Sequence, residues 1–303
     1  MRRPLASLSL NLDQPLIQAA FPLLKAGEVE AIEWSFDALH SYDILPEWFT
    51  ELLQQFGAAG RLIGHGIYFS IFRAQWSPEQ EKWLNNLQQQ VSTFQFDHIS
   101  EHFGFLTGEH FHKGAPLSVP FTPEMLAIGQ DRLLRLAQAA QCPVGLENLA
   151  FAWNVDAVHE HGQFLEQLLA PVDGFIILDL HNLYCQIHNF ELSFLELIQL
   201  YPLDRVREIH ISGGSWDPAG TANPKAVRRD THDDGVPAEV FVLLEQTLPL
   251  CPNVKFVVLE QMGISLHAPA SQLRYQTDFR NMVGIIQASA PQNGPARAFL
   301  PKQ

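Results

Sequence analysis

Thiols are scarce in this chain, and so is positive charge. The three cysteines, Cys142, Cys185 and Cys251, are odd in number, far apart and without a C-x-x-C pair. That excludes a disulfide framework and a zinc ribbon. Each reads as a small core residue, with Cys185 the one close enough to a polar motif to be weighed for the site. Lys and Arg number 19 against 33 Asp and Glu, a formal net charge of -14. Nucleic-acid affinity rests largely on neutralising phosphates, so this balance argues against a nucleic-acid partner. No apolar run reaches the roughly 18 residues that a membrane span needs. The opening "MRRPLASLSLNLDQ" has no long apolar core or clear cleavage site, and the expectation is a soluble cytoplasmic protein with no membrane contact. Glycine is missing from "SLNLDQPL", where a dinucleotide-binding sheet would place its phosphate turn.

What is present is a long, regular alternation. Of the 303 residues, 47% are hydrophobic, which suffices for one large core. Short apolar runs suited to buried strands recur as "LASLSLNL", "VEAIEWS", "RLIGHGIYF", "FQFDHIS", "CPVGLEN", "GFIILDL", "VREIHIS" and "VKFVVLE". Between them lie segments of helical period: "LPEWFTELLQQF", "SPEQEKWLNNLQQQV", "TPEMLAIGQDRLLRLAQAA", "VHEHGQFLEQLLA", "FELSFLELIQLY", "PAEVFVLLEQTL" and "LRYQTDFRNMVGIIQAS". Ser77 before Pro78 and Thr122 before Pro123 each offer a capping hydroxyl followed by proline at the first helical position. Strands alternating with helices require crossovers and a parallel sheet, and eight of them is the number that closes a barrel. The expectation is an α/β fold, a single (β/α)8 TIM-like barrel over residues 1–290, with a flexible tail at 291–303. An open doubly wound sheet is the competing fold.

Active sites of such barrels form at the carboxyl ends of the strands. Those ends carry His65; His102 after Glu101; Glu147 and Asn148; Asp179 and Asn182; His210; and Glu260, with Asp230 and His232 in the loop "RDTHDDG". A lone histidine at a strand end is usually a satisfied loop residue. Glu147 and Glu260 are harder to dismiss, because each ends an apolar strand and a buried carboxylate without a partner costs several kcal/mol. Few cations stand near these ends, Arg228 and Arg229 being the nearest, so a metal is the better compensating charge. Imidazoles with carboxylates and no clustered thiolates suit iron, manganese or zinc. Four histidines, four acids and Asn182 exceed the needs of one ion, so two or three metals are expected. Glu147, on the strand midway around the contributing set, is the candidate bridge.

Other polar residues read as supports. Asn148, Asn189 and Glu101 are candidates to orient ligands or substrate. Asp97-His98 and His110-x-His112 border the fourth strand and could suggest a second metal site, but an HxH pair in a polar loop is more simply solvent-facing. His181 should point away from Asp179 if the strand continues, which favours a structural role. His159 and His161 lie two apart on a helix and face different sides.

The motifs "GHGIYFS", "ISEHFGF", "LENLAF", "ILDLHNLYCQIHN", "EIHISGG", "DTHDDGVP" and "VVLEQ" resemble, in order and spacing, the family formerly known as DUF692. That family is now called the multinuclear non-heme iron dependent oxidative enzymes, and it includes the methanobactin and 3-thiaglutamate maturation enzymes. The resemblance runs from about His65 to Glu260. It implies a TIM-like barrel holding two or three iron ions, Fe2+ and Fe3+, with O2 as co-substrate. His65, His102, Glu147, Asp179, Asn182, His210, Asp230, His232 and Glu260 match the family's ligand positions. Of these His65, His102, Glu147, Asp179, His210 and Glu260 are the expected catalytic core. The implied activity is oxidation of a side chain, often cysteine, in a ribosomally made precursor peptide, with a small peptide-recognition protein as a further partner. The chain departs from the family at its first strand, which is not glycine-rich. It departs also at "IEWSFDAL", where Glu33 has no following Asn, and at "QMGIS" after Glu260. These departures bear on the substrate more than on the metals.

Two other classes compete. A Zn, Mn or Mg barrel of the sugar-isomerase or endonuclease IV-like kind also gathers His, Glu and Asp at strand ends, but needs no O2. A barrel that only stores metal or serves as a scaffold would keep the ligands without the reaction.

Overall fold

The computed structural model describes residues 3–37, 45–105, 116–220 and 224–289. All eight expected runs form strands: β1 (Leu5–Ser9), β2 (Ala31–Trp34), β3 (Leu62–His65), β4 (Ile99–His102), β5 (Val144–Glu147), β6 (Phe175–Asp179), β7 (Val206–Ile211) and, after a small hairpin of β8 (Trp216–Asp217) and β9 (Val227–Arg228), β10 (Phe256–Leu259). The eight long runs close into one barrel in the order β1-β10-β7-β6-β5-β4-β3-β2. Every neighbour is parallel, and the seam is made by β1 against β10, with Leu8 opposite Leu259. The barrel therefore replaces the open sheet as the fold, and the count of eight is what permits closure.

Helices follow the strands: α1 (Gln14–Lys25), α2 (Glu47–Ala58), α3 (Pro78–Thr93), α4 (Pro123–Ala140), α5 (Val155–Leu169), α6 (Leu180–Phe190), the short α7 (Phe194–Ile198), α8 (Ala238–Thr247) and α9 (Pro269–Ser289). Ser77 and Thr122 cap as expected, accepting from the backbone N–H of Gln80 and Met125. Apolar helix faces and outer strand faces share a core in which Trp34, Phe49, Phe103, Phe164 and Phe279 are fully buried, each worth roughly 1.5–3 kcal/mol of transfer free energy.

Two helices differ from the sequence reading. The segment 14–25 is helical, capped by Asp13, which accepts from the Leu16 N–H. After β6 the helix starts at once at Leu180, whereas the periodic stretch 190–201 yields only the five-residue α7. The cause is local: Asp179 accepts from the Asn182 N–H at 2.6 Å, and Leu180, Leu183, Tyr184 and Ile187 then supply an apolar helical face. The tail 291–303 lies outside the described residues.

The barrel interior is layered. Alternation sends Ala31, Ile63, Phe256 and Val258 inward near the amino ends of the strands, where they form a small apolar cluster. Gly145 leaves room there for the Phe175 ring, which would sit 2.3 Å from any Cβ at that position. One pleat further on, the inward residues are Glu33, His65, Glu147, Asp179, His210 and Glu260, all buried. Barrel interiors are ordinarily filled by branched apolar side chains, so a charged layer here needs a chemical reason.

Candidate metal centre

The inner face of the strand ends assembles two groups of ligand-type atoms, each group lying within 4.8 Å of one another: His65, His102 and Glu147; and Glu147, Asp179, His210 and Glu260. Glu147 is common to both. The parallel register does this work by setting His102 beside Glu147 on β4 and β5 and Asp179 beside His210 on β6 and β7.

In the first group both imidazoles aim Nε2 at the same carboxylate oxygen, His65 at 3.3 Å and His102 at 3.4 Å from Glu147 Oε2. Their other nitrogens are engaged: His102 Nδ1 donates to the Gly66 carbonyl, and His65 Nδ1 meets the Ser100 hydroxyl, which itself donates to the Gly64 carbonyl. Those partners place a proton on each Nδ1 and aim both Nε2 atoms at one carboxylate, so a second proton or another cation belongs between the rings and Glu147. Burial disfavours charge on His65, but Glu147 and Glu33 outweigh it and raise its pKa to about 10, whereas burial and the neighbouring His65 hold His102 at about 3. The pair has room for one positive charge.

In the second group three carboxylates face one imidazole. Asp179 Oδ2, Asn182 Oδ1 and Glu260 Oε2 are buried and make no hydrogen bond, although His210 Nδ1 lies 3.1 Å from Glu260. Burial, then the Asp230 and Glu147 charges, push Asp179 well above the usual carboxylate range, and burial raises Glu147. Buried polar atoms are almost always satisfied. Three such oxygens at one place point to a further positive centre, and the donor set of imidazole, carboxylate and amide oxygen with no thiolate suits iron, manganese or zinc.

Asp230 and His232 close the mouth. Asp230 Oδ1 lies 2.9 Å from His232 Nε2 and 2.9 Å from His181 Nδ1, and His232 Nδ1 is 3.9 Å from Glu260. His232 adopts a left-handed backbone, φ 52°, strain of the sort found at functional sites. The loop is held close to the barrel because Gly213 and Gly214 follow β7; a Cβ on Gly214 would come within 2.2 Å of the Arg229 carbonyl. Burial raises the cost of charge on Asp230, but His232 and His181 hold its carboxyl far below the usual range.

The expected supports have distinct tasks. Asn148 accepts from the Asp179 N–H and donates to the Asp179 carbonyl, so it fixes that residue directly. Asn182 donates to the Asn148 carbonyl and, at 3.4 Å, to Glu147. Glu101 points away from the metal-type groups and accepts from the N–H of Phe69 and Ser70, tying down the loop after β3. Asn189 bonds both backbone groups of Arg228 and so anchors the strand that leads to Asp230. His181 is corrected from the sequence reading: α6 has already begun, and helical geometry turns its ring toward Asp230, with Arg228 Nε donating to its other nitrogen at 3.1 Å. Cys185 is fully buried on α6 and belongs to neither group. His161 is a core histidine beside Ser118 and Gln186. His159 is exposed and meets Glu196. His110 and His112 lie outside the described residues.

Sequence reasoning missed the residues beneath the site. Glu33 and Glu208 are fully buried and form a third group with His210, and His98, which was given no task, is buried inside the barrel between the Phe175 and Phe256 rings. A signal was available for Glu208, since Glu-x-His on one strand places both side chains on the same face.

A cavity of about 490 Å³ opens onto the centre, lined by His65, His102, Asp230, His232 and Glu260 together with Ile67, Met262 and Ile264. A groove of about 580 Å³ elsewhere, beside Gln88 and Cys142, gathers no such residues.

Comparison with known proteins gives one family and one fold. The family described as RiPP precursor modification enzyme MbnB/TglH/ChrH matches residues 29–264. A UPF0276 protein of Acaryochloris marina is 28% identical over 200 residues, 65% of this chain and 68% of that protein. One from Caulobacter vibrioides is 31% identical over 151 residues, 48% of this chain and 50% of its own length. One from Shewanella oneidensis is 24% identical over 230 residues, 76% and 77% of the two chains. Among solved structures, endonuclease IV from Thermus thermophilus aligns with TM-score 0.56 and 15% identity, covering 93% of this chain and 99% of that one. A xylose isomerase domain-containing protein of Salmonella typhimurium aligns with TM-score 0.57 and 12% identity, covering 95% and 99%. At such identities these two show the barrel fold alone.

Proposed function

Because the chain belongs to the MbnB/TglH/ChrH family of RiPP precursor modification enzymes, the DUF692 group that its motifs resemble, we propose that it is an iron- and O2-dependent oxidase acting on a residue, cysteine foremost, of a ribosomally synthesised precursor peptide. The observation that carries this reading is the convergence at one buried place of the unbonded oxygens of Asp179, Asn182 and Glu260 with the His210 and His232 ring nitrogens. Two or three iron ions, Fe2+ and Fe3+, would be held by His65, His102, Glu147, Asp179, Asn182, His210, Asp230, His232 and Glu260, with Glu147 bridging. When bound, they supply Lewis acidity and redox equivalents for an O2-dependent oxidation.

The protein's own part is position and access. Side chains of His102, Asp230 and His232 keep 18%, 18% and 23% exposure, whereas His65, Glu147 and His210 are nearly closed off. Substrate therefore approaches from the side of the first three. Loops after the strands leave Phe151, Trp153, Met262 and Ile264 exposed, the last two lining the cavity itself, an apolar surface suited to the side chains of a peptide rather than to a small sugar. A small peptide-recognition protein is the expected further partner. No helix among the described residues is long and apolar enough to cross a membrane, and the net charge of -14 disfavours nucleic acid.

The test is elemental analysis of protein purified without oxygen, with Mössbauer spectra of an iron-57 sample. Two or three irons per chain, partly ferric and lost with Glu147→Ala, is the expected result. Zinc or manganese alone, unchanged when iron is supplied during expression, would overturn the oxidase and favour a hydrolytic or isomerase-like divalent-metal barrel.

A further inference from the structure

His210 has two ring nitrogens, and they face two different environments. Nδ1 looks up toward Glu260 Oε2 at 3.1 Å and Glu147 Oε1 at 3.8 Å and makes no hydrogen bond. Nε2 looks down into the barrel and hydrogen-bonds Glu208 Oε1 at 3.0 Å. An ionised carboxylate can only accept, so Glu208 keeps a ring proton on Nε2 and leaves Nδ1 as the nitrogen that faces the candidate metal position, its lone pair free once a metal displaces any proton shared with Glu260. Glu33 Oε2 is also near, at 3.1 Å, but neither of its oxygens makes a directed hydrogen bond, which leaves Glu208 as the partner that orients the ring.

Glu208 is in turn clamped from below. Its second oxygen accepts from His98 Nε2 at 2.5 Å, and His98 Nδ1 donates to Asp97 Oδ1 at 2.9 Å. Asp97 is held by Arg207 and by Lys255 at the lower rim of the barrel. The His98 ring is wedged between Phe175 and Phe256, at centroid distances of 4.5 and 5.5 Å. A single line of hydrogen bonds thus runs from the floor of the barrel to the underside of the candidate centre. Burying such a chain is a poor route to stability, because well-packed apolar residues of similar volume do as well or better. Metal-bound histidines, in contrast, commonly donate their second N–H to a carboxylate, which fixes the ring and strengthens it as a donor.

We infer that Glu208, clamped by His98, is the positioning residue that orients His210 and strengthens Nδ1 as a metal donor. This rests on the metal-centre reading above. It gives the buried Asp97–His98 pair a task within the site, although neither residue touches a metal position.

The test titrates iron-free full-length protein with Co2+ under nitrogen, reading affinity and the visible d–d bands, in the natural chain and in Glu208→Gln and His98→Gln. The expected result is a 10- to 100-fold weaker Co2+ site with displaced bands in Glu208→Gln, and a smaller displacement in the same direction in His98→Gln, each folded by circular dichroism. Natural affinity and unshifted bands in both folded variants would overturn the inference and reduce the chain to core packing. If Glu208→Gln does not fold, His98→Gln decides alone, because it removes the clamp without touching His210. Failure of the natural chain to bind Co2+ would instead sink the metal-centre reading, and this inference with it.

Discussion

The upper and lower halves of the barrel interior are both charged, yet they keep their charges differently. Below, Asp97, His98, Glu208, Arg207 and Lys255 form a closed set in which donors meet acceptors at hydrogen-bond distance. Burial would lower the His98 pKa, but Glu208 and Asp97 overcome it and raise the value, while His98 and His210 draw Glu208 down to about 2. Above, carboxylates crowd the imidazoles, and burial pushes Asp179 and Glu147 upward. Paired charge is a property of a fold that is complete as it stands. Crowded carboxylates are what the proposed metals would answer.

The difference can be broken most sharply at Glu147. Glu147→Gln should abolish stoichiometric iron, lowering affinity at least about 100-fold because both groups lose their shared residue, and elemental analysis reads it. The same variant should melt no lower than the natural chain when both are metal-free, since a disfavoured buried carboxylate is gone. A large drop in the metal-free melting temperature would show that the upper half is structural after all.

Metal removal asks the same question without mutation. If the upper half is built for ions, chelation should cost roughly 4 kcal/mol relative to metal at about a thousand times its Kd, recovered when iron is restored anaerobically, as urea unfolding would show. Equal curves with and without chelator would erase the contrast.

The lower half should respond the opposite way. Arg207→Ala removes a partner of Asp97 and should destabilise the metal-free protein by about 2 kcal/mol, less than the loss expected for a wholly buried pair because Arg207 keeps some exposure. Its iron count should stay that of the natural chain; a loss of iron equal to that of Glu147→Gln would make the two halves one unit.

The last contrast concerns an imidazole in neither half. Burial holds His161 at about 4, below its ordinary 6.5, so between those values the unfolded chain takes a proton that the folded chain refuses. Its contribution is complete above pH 6.5 and is lost as pH falls toward 4, with a slope of at most about 1.4 kcal/mol per pH unit. His161→Gln should flatten the stability profile by that amount in that window, and an unchanged profile would refute the assignment.

Much of this was legible before any fold was seen. The eight apolar runs gave the strands, and the polar residues at their carboxyl ends gave the upper layer, because a parallel barrel exposes one end of every strand to one cavity. What stayed hidden had definite causes. Glu33 and Glu208 lie within strands, where an acid reads as a solvent-facing alternate until closure shows that no face of this sheet meets water. His98 lies in the run "FQFDHIS" but short of the strand's carboxyl end, where ligands were sought. His181 was misdirected because strand alternation was carried one residue too far, past a capping Asp179. Asn189 serves Arg228 through backbone bonds that no motif announces.

The seam between β1 and β10 has a consequence in time. His65 lies early in the chain and Glu260 near the last strand, and Glu260 reaches His210 only when β10 pairs with both β7 and β1. At about 5–20 residues per second of synthesis, roughly ten seconds or more separate the first ligand from the last. A nascent chain therefore passes a long interval with imidazoles and carboxylates made but not gathered, and the proposed ions would find a complete set of holders only once the last strand has closed the barrel.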